Sequence, residues 1–217
     1  MRIPVHSAGR EPRKLSHMLD PTVFIVDDDA AVVDSIVELV MSVGLSAAAF
    51  HSAKEFRDTF NPDRPGCLVL DVRMAHTSGL ALQEELNAIG ATIPIVFISG
   101  HGDISTAIKT IKAGAVDFVQ KPYHDQQLLD AINEALRRDA EGREAADDSE
   151  AFVKGFAALT EREREILEHV VRGLSSKSIA KELDISYRTI ELHRSHIMGK
   201  LRVRSVAELI RLVIERR

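Results

Sequence analysis

The sequence predicts a doubly wound α/β domain followed by a small all-α domain. Three observations carry that expectation. Short apolar runs alternate with longer amphipathic stretches from residue 20 to residue 138, whereas from residue 156 onward the pattern is helical with no strand signal. Charge divides along the same line. Residues 20–138 hold 9 basic and 17 acidic side chains, and residues 156–217 hold 13 and 9, a split that the whole-chain net of -5 conceals. Finally, at roughly 150 residues per domain, a chain of 217 residues accommodates one medium and one small domain.

The elements follow in order. Thr22 to Val26, Leu45 to Phe50, Cys67 to Leu70, Ile93 to Ile98 and Ala115 to Val119 are five expected strands. They are nearly continuous in apolar residues, as strands covered on both faces should be. Between them, Ala31 to Val43 places Val32, Ile36, Leu39, Val40 and Val43 three and four apart, the spacing of one helix face. Residues 53–60, 79–89, 103–113 and 125–138 read the same way, with Gly44, Gly90 and Gly114 at C-cap positions. Five strand-then-helix units imply a parallel sheet with right-handed crossovers.

Residues 139–155 are rich in Ala, Glu and Asp and read as an acidic, partly helical linker. Beyond it, Thr160-Glu161-Arg162-Glu163 is a capping box. It opens a helix carrying Ile166, Leu167, Val170 and Val171 on one face. A short helix from Ser176 to Leu183, a turn at Asp184-Ile185-Ser186, and a helix from Tyr187 to Leu201 give the helix-turn-helix spacing. A last helix runs from Val206 to Glu215. Residues 1–19 read as a flexible basic tail in which Met18 is an alternative start to Met1.

Composition narrows the setting. Cys67 is the only cysteine, which excludes an internal disulfide framework, fits a reducing compartment and reads as a buried strand residue. No apolar run approaches the roughly 18 residues of a membrane span, and the N-terminus lacks a signal-peptide core. A soluble, cytoplasmic protein is expected, with 45% hydrophobic and 28% charged residues, near the globular average.

In an open parallel sheet, ligands gather outside the carboxyl ends of the strands. There the sequence places Asp27-Asp28-Asp29, Asp71, Ser99 and Lys121-Pro122, which a 2-1-3-4-5 strand order brings to one end. Crowded carboxylates repel unless a cation neutralises them. All-oxygen ligands with open positions favour Mg²⁺, which bridges carboxylate to phosphoryl oxygen. A lysine and a hydroxyl stabilise phosphoryl charge, and an aspartate can itself accept the group as an acyl phosphate.

These residues resemble the receiver domain of two-component response regulators, a flavodoxin-like fold, over residues 20–138. The stretches are Val26-Asp27-Asp28-Asp29, Leu70-Asp71-Val72-Arg73-Met74, Ser78-Gly79-Leu80, Ser99-Gly100-His101-Gly102-Asp103, Lys112-Ala113-Gly114-Ala115 and Lys121-Pro122-Tyr123. The fourth and fifth are similar to the FixJ/NarL class. The resemblance implies that Asp71 is the phosphoacceptor for a sensor histidine kinase. It implies Mg²⁺ held by Asp28, Asp71 and the Arg73 carbonyl, with Asp27 acting through water. Lys121 would pair with the phosphoryl group through a cis Lys121-Pro122 peptide, and Ser99 and Phe118 would be the switch. Asp29 reads as a solvated neighbour. One position departs: the family usually has proline where Ala75 stands, so the loop after the phosphoacceptor loses a φ constraint.

The recognition helix is expected to bury Ile190, Ile197 and Leu201. Base contacts fall in the N-terminal half of such a helix, which makes Arg188, Thr189, Glu191 and Leu192 the base-reading candidates and Lys177, His193, Arg194 and Lys200 the phosphate contacts. Glu191 either accepts from cytosine or pairs with Arg188 or Arg194. His193 and His196 lack the companions of a metal site. Leu159-Thr160-Glu161-Arg162-Glu163, Gly173-Leu174, Lys177-Ser178-Ile179-Ala180 and Ser186 to His193 resemble the LuxR-type DNA-binding domain over residues 156–217. That resemblance implies dimerisation through Val206, Leu209, Ile210 and Val213, while packing of the small core alone also accounts for Leu209 and Val213. Together the two resemblances imply a phosphorylation-controlled transcription factor binding double-stranded promoter DNA as a dimer, with RNA polymerase a further partner. The rivals are an aspartate-nucleophile phosphohydrolase, which would need a second acid after Asp71-Val72, and a constitutive DNA-binding protein whose receiver only dimerises.

Overall fold

The computed structural model describes residues 20–75, 77–100 and 104–215. The expected tail, both candidate start positions and the residues His101 to Asp103 lie outside the described residues. The chain divides into two compact units, with the break between Arg143 and Glu144.

The N-terminal unit alternates β1 (Thr22–Val26), α1 (Ala30–Ser42), β2 (Ser46–Phe50), α2 (Ala53–Thr59), β3 (Gly66–Asp71), α3 (Gly79–Ala88), β4 (Ile95–Ser99), α4 (Ile104–Lys112), β5 (Asp117–Gln120) and the first part of α5 (Asp125–Ala157), whose residues from Glu144 onward belong to the C-terminal unit. The five strands form one parallel sheet in the order β2-β1-β3-β4-β5, as the sequence predicts. β1, β3 and β4 are buried throughout, whereas the edge strands β2 and β5 are partly exposed. Alternate strand residues face opposite layers. Val23, Ile25, Val69, Val96 and Ile98 pack with Ile36, Leu128 and Ile132 from α1 and α5. Phe24, Leu68, Leu70 and Phe97 pack with Phe56, Leu82 and Leu86 from α2 and α3. Each such side chain contributes about 1.5–3 kcal/mol on burial.

α5 is longer than the sequence reading allows. The segment read as a linker is continuous helix to Ala157. Asp139 and Arg143, one helical turn apart, explain how its first part is held. Asp139 is buried and its Oδ2 accepts from Gly66 N at 2.8 Å and from Arg143 Nε at 2.8 Å. The same guanidinium donates to the carbonyls of Pro62, Asp63 and Arg64. Composition could not reveal this, because the partners lie about eighty residues earlier.

The C-terminal unit adds α6 (Glu161–Val171), α7 (Ser176–Glu182), α8 (Tyr187–Leu201) and α9 (Val206–Glu215). Its core holds Phe152, Ile166, Leu167, Ile179, Ile190, Ile197, Leu201, Leu209 and Val213. Phe152 belongs to this core, although the sequence reading begins the unit at residue 156. Gly155 permits the approach of α5 to α8: a Cβ there would stand 1.9 Å from the Lys200 carbonyl oxygen. The expected capping box is formed, with Thr160 accepting from Glu163 N and Glu163 accepting from Thr160 N. Among the described residues no helix is long and apolar enough to cross a membrane.

Candidate functional site

The strand ends assemble one polar pocket on an apolar frame. Asp27 follows β1, Asp71 ends β3, Ser99 ends β4 and Lys121 follows β5. The β1–β3–β4–β5 register brings them to the same edge of the sheet. The backbone N–H of Lys121 donates to the Ser99 carbonyl at 2.7 Å, which fixes the lysine beside β4. Its Nζ donates to Asp27 Oδ2 at 2.7 Å and to Asp71 Oδ1 at 3.0 Å. The Lys121–Pro122 peptide is cis. Ser99 is buried, and Phe118 is half-buried against the Phe24 to Phe97 core cluster.

The loop after β3 supplies the other contacts. Arg73 N donates to Asp71 Oδ2 at 2.6 Å, and Ala75 N donates to Asp28 Oδ2 at 2.7 Å. α3 starts immediately beyond, capped by Ser78. Gly79 is required there, since a Cβ would lie 2.2 Å from the Asp71 carbonyl oxygen. Asp29 is the N-cap of α1, accepting from Ala31 N at 3.0 Å. That gives it a local structural role beyond the solvated neighbour the sequence suggests. The two loop contacts to Asp28 and Asp71 carry no signal in composition; the Arg73 carbonyl implied by the resemblance and the departure at Ala75 are what point to this loop.

Electrostatics set Asp71 apart. Burial pushes its carboxyl above the usual carboxylate range, an effect that the Lys121 hydrogen bond and charge only partly offset. Burial pulls Lys121 the other way, yet its hydrogen bonds to Asp27 and Asp71 hold the ammonium above its ordinary value. One lysine is thus shared by two buried acids, Asp27 at 2% and Asp71 at 6% exposure. Carboxylates perturbed by burial and by a specific charge partner are candidates for a functional site.

The donor set fits a hard cation. Three carboxylates and the Arg73 carbonyl offer only oxygen, and Mg²⁺ needs one or two carboxylates, its remaining positions being filled by water and phosphate. The Lys121 ammonium is the cation that touches these carboxylates, through Asp27 and Asp71.

In the C-terminal unit, α7 and α8 form the helix-turn-helix with α6 packed behind them. Ile190, Ile197 and Leu201 are buried as expected. Lys177, Arg188, Glu191 and Leu192 are exposed, Leu192 at 55%. The other candidates are engaged inside the unit. Thr189 is half-buried and supports the Ser186 cap of α8. Arg194 donates to Ser176 Oγ at 2.6 Å. Lys200 donates to Glu163 Oε2 at 2.7 Å and to the Ala158 carbonyl at 3.2 Å. His193 is half-buried, with a buried Nδ1 that has no hydrogen-bond partner among the described residues. Of the expected dimerisation residues, Leu209 and Val213 are 2% and 5% exposed and belong to the same buried cluster as Ile166 and Ile197, the core packing that the sequence left open for them. Val206 is partly buried against the same core. Ile210 is half-buried, and Ile214, which the sequence reading passed over, is 57% exposed.

Comparison with known proteins decides the family. Residues 23–133 match the response regulator receiver domain, and residues 157–213 match the bacterial regulatory proteins of the luxR family. The chain belongs to the response regulators. Its relatives include the response regulator protein TodT of Pseudomonas putida, 45% identical over 91% of this chain and 88% of that one. The transcriptional regulatory protein FixJ of Azorhizobium caulinodans is 41% identical over 88% and 91%. Among solved structures, the response regulator StyR superposes with a TM-score of 0.75 at 45% identity, covering 91% of this chain and all of that one. A response regulator of this pair of domains joins a receiver to a DNA-binding domain, and the family is one of transcriptional regulators rather than of catalytic enzymes.

Proposed function

We propose that Asp71 accepts a phosphoryl group from a sensor histidine kinase and that this controls binding of promoter DNA through α7 and α8. The observation that carries the reading is Asp71 itself: a buried acid at a strand end, bonded to a lysine from a strand two places away in the sheet. An ionised aspartate can act as the nucleophile toward phosphorus. The carboxylate oxygen attacks phosphorus as the bond from phosphorus to the kinase histidine breaks, leaving an acyl phosphate. Lys121 is then placed to pair with a phosphoryl oxygen, and the Ser99 hydroxyl to donate to another. Asp28, Asp71, the Arg73 carbonyl and, through water, Asp27 would hold Mg²⁺, which when bound neutralises phosphoryl charge.

Output follows from a change at the neighbouring strand ends. Ser99 ends β4 and Phe118 lies on β5, so a shift of both reaches α4. α4 exposes Ile104 at 76%, Ile108 at 49% and Ile111 at 45%, an apolar stripe suited to homodimer formation. Dimerisation presents two DNA-binding units to two half-sites and raises effective concentration. Lys177, Arg188, Glu191 and Leu192 are the side chains exposed for phosphate and base contacts. The partners are a kinase, double-stranded DNA and a second copy of the chain, with RNA polymerase downstream, in the cytoplasm. Acetyl phosphate with Mg²⁺ is expected to tighten promoter binding of the full chain by about tenfold or more, and not that of Asp71→Asn. Equal tightening in Asp71→Asn would overturn the reading. Unchanged affinity in both proteins would favour the constitutive DNA-binding alternative.

A further inference from the structure

We infer that the backbone N–H of Ala75 is a latch on Asp28 that a divalent cation has to displace, and that it weakens cation binding in this chain. The inference rests on the reading of the pocket as a cation-assisted phosphoryl acceptor and deepens it. Three observations lead to it. Ala75 N donates to Asp28 Oδ2 at 2.7 Å, across 47 positions of sequence. Asp28 is exposed, whereas its neighbour Asp27 is buried, so this amide rather than packing determines where the Asp28 carboxylate rests. And although Asp27, Asp28 and Asp71 stand at adjoining strand ends, they are not gathered as a three-ligand group among the described residues.

The chemistry of the latch depends on residue type. A short hydrogen bond from an amide to an ionised carboxylate is among the stronger ones. Proline has no N–H and cannot make it. A proline at this place would leave the Asp28 carboxylate free to turn toward Asp27 and Asp71, whereas alanine supplies a donor that competes for it. The loop that carries Ala75 also carries the Arg73 N–H, which holds Asp71 Oδ2 at 2.6 Å. Release of Ala75 therefore loosens the segment that borders the phosphoacceptor without removing the contact at Asp71. Ala75 acts through Asp28 and is a positioning residue.

Calorimetric titration of the unphosphorylated full chain with MgCl₂ tests this without any phosphoryl transfer. Ala75→Pro is expected to bind Mg²⁺ about tenfold more tightly than the unsubstituted protein, the size expected when a competing hydrogen bond to a charged group is lost. Equal or weaker binding by Ala75→Pro would overturn the latch. A second measurement needs no substitution: amide exchange at Ala75, followed by NMR. Exchange is expected to be slow without Mg²⁺, to accelerate by about tenfold or more with saturating Mg²⁺, and to be fast in Asp28→Ala under both conditions. An Ala75 amide that stays protected when Mg²⁺ binds also overturns the latch. Absence of Mg²⁺ binding at millimolar concentration in the unsubstituted protein is a different result, because it overturns the pocket reading on which the latch depends.

Discussion

Asp71 in the N-terminal unit and Glu163 in the C-terminal unit are both buried acids bonded to a lysine, at 3.0 Å and 2.7 Å. Their proton affinities nevertheless move in opposite directions. Burial raises both, but at Glu163 the Lys200 hydrogen bond and the Thr160 backbone N–H more than compensate, and its carboxyl falls to about 2. At Asp71 the lysine is shared with Asp27, and burial prevails. The difference separates a carboxylate satisfied within the fold from one that the proposed phosphoryl transfer would use. Asp139 shows the structural kind again within the receiver itself, satisfied by Gly66 N and Arg143 at the other end of β3.

Lys121→Ala should sharpen this contrast most. Loss of a charge-stabilising donor from a buried site typically costs on the order of 100-fold in rate, so labelling of Asp71 by acetyl phosphate is expected to slow by about that factor. A rate within about threefold of the parent would break the assignment of Lys121 to the phosphoryl group. Glu163→Gln should act on stability instead. It gives up a charge-assisted bond to Lys200, with an expected loss of about 2 kcal/mol, read as faster hydrogen exchange in α6 while Asp71 labelling is unchanged. Unaltered α6 exchange would mean the buried pair contributes nothing net.

Acid should separate the two carboxyls by sign. Glu163 has its proton affinity lowered by folding, so its contribution is complete above the unfolded value of 4.5 and is lost as pH falls toward about 2. Asp71 has its affinity raised, so its ionisation subtracts stability as pH rises from 3.8 through the higher folded value. The smallest effect expected is therefore a modest rise in receiver melting temperature in Asp71→Asn at neutral pH, by differential scanning calorimetry. A fall would show that the charged Asp71 stabilises the fold.

Much of this was legible from residue order. The five strand-and-helix units follow from apolar periodicity and the capping box at Thr160 from its spacing, while the strand order that brings Asp27, Asp71, Ser99 and Lys121 together is what the receiver resemblance implies. Less legible were features whose partners are remote in sequence. The grip of Arg143 on the carbonyls of residues 62–64 holds part of the expected, partly helical linker within a continuous helix. Lys200 looks like a DNA contact by charge alone, but pairs with Glu163 37 positions away. Leu209 and Val213 look like interface residues on an amphipathic helix, yet a unit this small needs them for its core. Helical periodicity identifies an apolar face and says nothing about which surface covers it.

Asp71 is proposed as the one residue that takes the phosphoryl group. Intact-mass spectrometry after incubation with acetyl phosphate and Mg²⁺, followed by mapping of the acid-stable peptide after borohydride reduction, tests it most directly. The unsubstituted chain is expected to gain one phosphoryl group, mapped to Asp71, and Asp71→Asn to gain none. A phosphoryl group carried by Asp71→Asn to the same extent, or mapped to Asp27 or Asp28 in the unsubstituted chain, would rule out Asp71 as the acceptor.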